Sequence, residues 1–395
     1  MTHLIVFSHL RWSFVFQRPQ HLLSRLSRHY RVLYIEEPVH TTGPAHLERI
    51  SHGPNLDVLV PHTPIEAVGF HDDQLPVLQP LIARYLLAND IEDCIAWLYT
   101  PMALPLLATL KPRALVYDCM DELRAFKNAP RQLRQRETVL LKTADLLLTG
   151  GPALYEAKHA GHPNAHCVPS CVDAAHFSPA ALDHACSYAL QAQQLQGHLH
   201  NPRLGFFGVI DERFDIALLQ ALADAHPQWQ LVMVGPVVKI DPTTLPRRPN
   251  IHWLGMQSYE LLPHLLAGWD VCLMPFAINE ATRFISPTKT LEYMAGEKPI
   301  VSTPVHDVIA LYGDVVRVAE AGPDFILACE RMLDEEPAAR QQRIDSTLAT
   351  VERSSWDRAA DKVLDLLQAA VEPSASWIIE PADLRSTPLQ AAASS

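Results

Sequence analysis

The chain has 395 residues, a length that predicts two or three domains, and with 48% hydrophobic against 19% charged residues it can bury a large core, which excludes disorder over its whole length. Lys and Arg number 32 against 44 Asp and Glu, a formal charge of −12, and an acidic chain of this kind is no candidate for wrapping nucleic acid. No run reaches the roughly 18 apolar residues of a membrane span, and the opening MTHLIVFSHLRWSF carries no basic stretch before its apolar run, so neither a transmembrane helix nor a secretory signal is expected.

In chain order, LIVFS (4–8) reads as a buried strand, 20–30 as a helix with Leu22, Leu23 and Leu26 on one stripe, and 31–37 as a second strand. Further strands are expected at 56–60, 94–99, 114–118, 144–150 and 165–169, with helices near 73–88, 102–109, 130–143 and 152–160. Strand character then lapses over 174–203, which holds a helical stretch at 181–196. The alternation resumes with strands at 204–208, 230–235, 251–255, 270–276, 299–303 and 315–319, and helices at 215–225, 286–296, 322–334, 338–350 and 355–371. Strand–helix alternation of this kind predicts mostly parallel sheets covered on both faces. Two α/β halves of similar size, joined near 175–203, are the simplest division, and the polar tail from 372 is expected to fray.

Ligands of open α/β sheets bind beyond the carboxyl ends of the strands, so the residues following each strand are the candidates. The strongest group is SPTKTLEYMAGEKPIVST (286–303). Ser286 reads as a helix N-cap, Pro287 as the first helical residue and Gly296 as the stop. Lys289 then opposes the helix dipole in the first turn, and with the free backbone N–H groups of the helix start it makes an anion site suited to a phosphate or diphosphate. Glu292, one turn on, can accept two hydroxyl hydrogen bonds from a ribose. The alternative is a plain Lys289–Glu292 pair on a solvated face.

Gly208, Gly235 and Gly255 each end a strand and together suggest a pocket floor, with Arg213 in the loop before the helix capped by Asp215. The first loop carries His9, Arg11, Trp12 and Arg18, suited to stacking on and hydrogen-bonding a sugar, or with its aromatics simply covering the sheet edge. VYDCMDE (116–122) places Asp118, Asp121 and Glu122 after a strand, where a carboxylate binds acceptor hydroxyls or takes a proton, or merely caps a turn. Arg124, Lys127, Arg131, Arg134 and Arg136 form a basic cluster: a solvated helix face, or a peripheral contact with an anionic membrane. Seven cysteines, with Cys94, Cys119, Cys167 and Cys272 in or beside apolar runs, suggest reduced, mostly buried thiols in a cytoplasmic chain. HCVPSC (166–171) lacks a second ligand pair at zinc spacing, so no metal site is expected.

Taken together, SHLRWSFVFQRPQHLLSRL, VYDCMDE, VPSCVDAAHF, GFFG, VGP, HWLG and PTKTLEYMAGEKPIVST occur in the order of a known family. Over most of 3–371 the chain resembles the GT-B glycosyltransferases, and among them the family 4-like enzymes of bacterial polysaccharide synthesis, including the teichuronic-acid type. The resemblance implies two Rossmann-like, doubly wound α/β domains facing a central cleft. Residues 1–175 would bind the acceptor, 176–354 a UDP- or GDP-sugar, and a last helix at about 355–371 would return to the first domain.

It implies donor contacts from Gly208, Arg213, Gly235, Ser286, Pro287, Thr288, Lys289 and Glu292. Acceptor contacts would come from His9, Arg11, Trp12 and Arg18, and catalytic roles would fall to Asp118, Asp121 and Lys289. Glu292 matches the second glutamate of the family's paired-glutamate motif. The first would fall at Phe284, so Glu280 or the backbone around Ser286–Pro287 is the substitute. The implied chemistry is retaining, metal-independent transfer to a glycan or polyprenyl-linked acceptor, with no cofactor beyond the nucleotide-sugar, by a protein that is cytoplasmic or peripheral at the inner face of the membrane. A nucleotide-sugar 2-epimerase-like enzyme and a non-catalytic binding protein on the same fold are the alternatives.

Overall fold

The computed structural model describes residues 1–125 and 129–371. The expected tail at 372–395 and Lys127 of the basic cluster lie outside the described residues. Contacts divide the chain into two units. The first holds Met1–Thr149, Lys158–His166 and the described residues from Asp361 on; the second holds Gly150–Ala157 and Cys167–Ala360.

The first unit is built on a nine-stranded sheet. Its elements are β1 (His3–Ser8), α1 (Arg18–Leu26), β2 (Arg31–Glu36), β3 (Val39–His40), β4 (His46–Ser51), β5 (Leu56–Thr63), α2 (Leu75–Ala88), β6 (Cys94–Leu98), β7 (Leu115–Cys119), α3 (Arg131–Thr143), β8 (Leu146–Thr149) and β9 (Ala165–Cys167), with α4 (Pro152–Lys158) between the last two belonging to the second unit up to Ala157. The strand order β3-β5-β2-β1-β6-β7-β8-β9 reverses direction between β1 and β6. The central strands are continuous apolar runs because helices cover both faces, as in Ile5, Val6 and Phe7 of β1 and Ala96, Trp97 and Leu98 of β6, all buried.

Two departures from the expected alternation in this unit have a clear cause. β4 pairs antiparallel with β5, and its sequence HLERIS is mostly exposed, so it lacks the apolar run that marks a buried strand. The expected helix at 102–109 is a 3₁₀ segment over Pro101–Thr109, since Pro105 removes an N–H from its interior.

The second unit continues with α5 (Ala174–Phe177), α6 (Ser187–Gln196), β10 (Arg203–Phe207), α7 (Ile216–Ala225), β11 (Gln230–Val234), β12 (Ile251–Gly255), α8 (Leu262–Ala267), β13 (Val271–Met274), α9 (Lys289–Ala295), β14 (Ile300–Ser302), α10 (His306–Tyr312), β15 (Arg317–Val318), α11 (Pro323–Leu333), α12 (Pro337–Arg353) and α13 (Trp356–Val371). Its six strands run parallel in the order β12-β11-β10-β13-β14-β15, reversing between β10 and β13. Leu204, Phe206, Leu231, Met233, Cys272 and Leu273 form the sheet's share of the core, packed by Leu218, Leu222, Leu291 and Tyr293 of the helices. The second unit takes up the chain at Gly150–Ala157 and again from Cys167, and α13 begins in the second unit and ends in the first. Cys94, Cys119, Cys272 and Cys329 are buried thiols, whereas Cys167 is only half-buried.

Candidate functional site

In the second unit the reversal of strand order puts Gly208 at the carboxyl end of β10, the position where open α/β sheets hold ligands. Its φ is +144°, and its N–H donates to the Val234 carbonyl at 2.9 Å. A Cβ there would stand 1.9 Å from Cε and 2.7 Å from Nζ of Lys289, so the lysine side chain lies directly over the glycine. Gly235, φ +141°, ends β11, and a Cβ on it would fall 1.8 Å from the Gly208 carbonyl oxygen. The two glycines and the lysine are therefore stacked in contact. Gly255, φ +67°, ends β12 and accepts from the Gly235 N–H at 2.7 Å.

The helix carrying Lys289 starts later than the sequence suggests. α9 begins at Lys289, with Thr288 at its N-cap position making no side-chain cap. Ser286 is thus not the cap and Pro287 is not the first helical residue. Its carbonyl accepts instead from the Thr290 N–H at 3.3 Å and the Thr290 hydroxyl at 3.0 Å. Ser286 and Asp307 converge on Gly151, where a Cβ would stand 3.0 Å from the serine Oγ and 2.0 Å from Asp307 Oδ2. Asp307 is fully buried and accepts from the Ala153 N–H at 2.9 Å. Burial pushes its carboxyl above the ordinary range, against the pull of hydrogen bonds from His306, Ala153 and Ser286.

Glu292 sits one turn beyond Lys289 and is half-buried, so the pair is not an exchange of charges on a solvated face. Burial pushes its carboxyl up to about 7, with Lys289 opposing the shift. Arg213 is held by a two-pronged ion pair: its Nε lies 2.9 and 3.1 Å from the Asp211 oxygens and Nη2 lies 2.8 Å from Oδ2, with Asp211 buried. Phe284 lies beneath the Arg283 guanidinium at 5.1 Å, and Glu280 is exposed in a turn that Asn279 and the buried Thr282 organise.

In the first unit several candidate residues are held by ion pairs and hydrogen bonds. Arg18 and Asp118 are paired with each other and sealed from solvent: Nε lies 3.1 and 3.0 Å from the two carboxylate oxygens and Nη2 lies 2.9 Å from Oδ1. Each of these two side chains is thus engaged by the other within the interior of the first unit. Desolvation pushes the Asp118 carboxyl up, and Arg18 holds it down. Glu122 is buried too, pairing with Lys158 and Arg124 at 2.9 Å each, and Lys158 also holds Glu137 at 2.7 Å. Asp121 is half-buried between them in sequence.

Arg11 and Trp12 both lean on Glu36: Arg11 Nη1 donates to Oε2 at 2.9 Å and the Trp12 N–H to Oε1 at 2.7 Å. The Trp12 ring packs edge-on against Tyr34 with centroids 5.1 Å apart, covering the sheet edge. His9 follows β1 and is half-buried. Of the described residues of the basic cluster, Arg136 pairs with Asp72 and Arg124 with Glu122, Arg131 and Arg134 are exposed, and Leu133 and Leu140 of α3 are buried. No helix among the described residues is long and apolar enough to cross a membrane.

Sequence reasoning passed over Asp211, Asp307, Glu36, Gln20 and Thr282. Each is a buried polar residue whose partner lies in another loop or element, or across a turn, and no periodic pattern marks such residues. Gln20 shows the point: its Nε2 donates to the carbonyls of Trp12 and Val15 at 2.8 and 3.1 Å, fixing the first loop.

Comparison with known proteins agrees with this geometry. Residues 201–335 match the family of glycosyl transferases group 1. The chain is 27% identical over 279 residues to a protein of Bacillus subtilis (strain 168) named as the teichuronic acid biosynthesis glycosyltransferase TuaH, covering 65% of this chain and 68% of that protein. The sucrose-phosphate synthase of Thermosynechococcus elongatus superposes with a TM-score of 0.72 at 15% identity, over 93% of this chain and 99% of its own. Anabaena Alr3699/HepE, solved with UDP and glucose, superposes with a TM-score of 0.65 at 17% identity, over 93% of this chain and 100% of its own. The superpositions and the mostly parallel sheets of both units give this chain the GT-B glycosyltransferase fold, its residues 201–335 match the glycosyl transferases group 1, and it is similar to a glycosyltransferase of the teichuronic-acid type.

Proposed function

We propose that the protein moves a sugar from a UDP- or GDP-sugar to a glycan or lipid-linked acceptor in bacterial surface polysaccharide synthesis. The stacking of Lys289 over Gly208 at the reversal point of the second sheet carries this reading. A glycine there lets a diphosphate approach the backbone, and the ammonium beside it meets the negative charge that grows on the leaving group in the transition state. Glu292, one turn along α9, is set to accept the two ribose hydroxyls. Arg213, anchored by Asp211, gives a second cation on the loop after β10.

The proposed transfer retains configuration without a metal cofactor. The acceptor oxygen bonds to the anomeric carbon, the bond to the diphosphate breaks with its electron pair, and the hydroxyl proton leaves with the diphosphate. UDP in the crystal of Anabaena Alr3699/HepE, and the name of the Bacillus subtilis relative, support the donor class and the setting. The test is a thermal-shift panel of nucleotides and nucleotide-sugars. UDP or GDP compounds should raise the melting temperature, and Glu292→Ala should remove the rise. No shift at millimolar concentration would end the donor assignment. The anomeric configuration of the product, read by NMR, tests retention.

A further inference from the structure

The second unit holds a cavity away from the stacked glycines. β13 and β14 run parallel to β10, so the residues just before them lie on the opposite edge of the sheet from Gly208. There Lys298 donates to the carbonyls of Ala267 and Trp269 at 2.9 and 2.8 Å. It forms one wall of a cavity of about 130 Å³ that Phe177, Leu182, His184, Pro263 and Leu266 also line. Two of the lining segments carry a thiol and an imidazole in contact. Cys186, two residues after His184, has its Sγ 3.5 Å from Nε2 of His264, the residue after Pro263.

The seven thiols of the chain are not equivalent. Cys94, Cys119, Cys272 and Cys329 are buried, and burial pushes each thiol up, away from the reactive thiolate. Cys171 is half-buried and donates to the Pro169 carbonyl at 3.5 Å, an oxygen that takes up no proton. Cys186 is half-buried at the N-cap position of α6, where its side chain makes no cap and the helix dipole favours negative charge on the sulfur. Burial, His184 and His176 hold the His264 imidazole below its ordinary value, against the pull of Asp183, so near neutral pH the ring is an uncharged proton acceptor. A nucleophile and a base within hydrogen-bond reach, beside a cavity, form the arrangement of an activated thiol.

We propose that Cys186, activated by His264, is a thiol-exchange site for a small disulfide carrying carboxylates, with the attached half seated in the neighbouring cavity. His264 Nε2 takes the thiol proton and Sγ attacks one sulfur of the disulfide. The Sγ–S bond forms as the S–S bond of the disulfide breaks, and the departing thiolate leaves with the electron pair and is protonated by His264. The disulfide is the only oxidant the step needs. The cavity is close to the roughly 150 Å³ that admits a benzene ring, room for one cysteinyl unit. Lys298 puts a cation on its wall, which favours a ligand carboxylate, so disulfides of the glutathione and cystine type fit the site.

The test incubates the folded full chain with glutathione disulfide, cystine or cystamine, which has no carboxylate, and reads the modified cysteines over time by peptide mass spectrometry. Each rate is divided by that of the same cysteine in the chain unfolded in urea, which removes the intrinsic reactivity of the reagent. Cys186 should be the first cysteine modified, and faster in the folded chain than in the unfolded one. Its ratio should be at least threefold higher for glutathione disulfide and cystine than for cystamine. His264→Gln should lower the Cys186 ratio tenfold or more. First modification at Cys167 or Cys171, or a Cys186 rate no higher in the folded chain, would overturn the proposal, and both are read on the wild type whether or not the variant folds. A folded His264→Gln protein that reacts as fast as the wild type would also overturn it. A cystamine ratio as high as that of glutathione disulfide would overturn the assigned ligand class.

Discussion

The side chain of Lys289 passes so close over Gly208 that a Cβ on the glycine would stand 1.9 Å from its Cε. The same glycine has φ +144°, a conformation that L side chains rarely adopt. Gly208→Ala therefore both strains the end of β10 and displaces the ammonium. Its UDP or GDP affinity, measured by calorimetry, should fall at least tenfold, about 1.4 kcal/mol. Gly235→Ala should act the same way at one remove, because its methyl would push on the Gly208 carbonyl.

Arg18 and Asp118 test whether a sealed ion pair has been mistaken for catalytic machinery. Removing one partner leaves the other charge buried and alone, an effect of about 3–5 kcal/mol. Asp118→Asn and Arg18→Met should each lower the urea midpoint sharply, and the double replacement by apolar residues should recover part of the loss. A catalytic Asp118 would behave otherwise: Asp118→Asn would melt like the wild type and lose only turnover.

The fold was legible because each buried parallel strand is a short apolar run and each covering helix keeps its stripe, as Leu22, Leu23 and Leu26 do in α1. Gly208, Gly235, Lys289 and Glu292 were legible as a group because strand ends and a helix start are local features. The start of α9 was misplaced since Ser286 and Pro287 mimic a cap, while tertiary contacts with Gly151 and Asp307 claim the serine. Arg18 and Asp118 are a hundred residues apart in sequence, and nothing in either segment announces that they pair. β4 escaped notice because an exposed antiparallel edge needs no apolar alternation.

The pH dependence follows from Glu292. Its carboxyl lies near 4.5 ordinarily and is pushed up to about 7 by burial in the folded chain, so folding takes up a proton between those values. Raising the pH through this window therefore destabilises the wild type relative to Glu292→Gln, by up to ~3 kcal/mol once both values are passed. Urea midpoints of the two proteins should match most closely near pH 5 and differ most near pH 8. Nucleotide affinity should run the other way. Ribose hydroxyls donate to the ionised carboxylate, so wild-type affinity should rise with pH up to about 7 more steeply than that of Glu292→Gln.

Asp307 is expected to position the loop that precedes α9. Asp307→Asn removes the charge that receives the Ala153 N–H and faces Ser286. Gly151→Ala drives a methyl into the same carboxylate. Both variants should weaken nucleotide-sugar binding more than nucleotide binding, a difference that a competition assay resolves. Equal losses for the two ligands would mean that the loop does not contact the sugar.

The most direct measurement is a calorimetric titration of UDP and GDP into the wild type and into Lys289→Ala, with circular dichroism to confirm that the variant is folded. The account predicts saturable binding of at least one nucleotide to the wild type and a loss of tenfold or more in the variant. A folded Lys289→Ala protein that binds as tightly as the wild type, or a wild type that binds neither nucleotide, would contradict it.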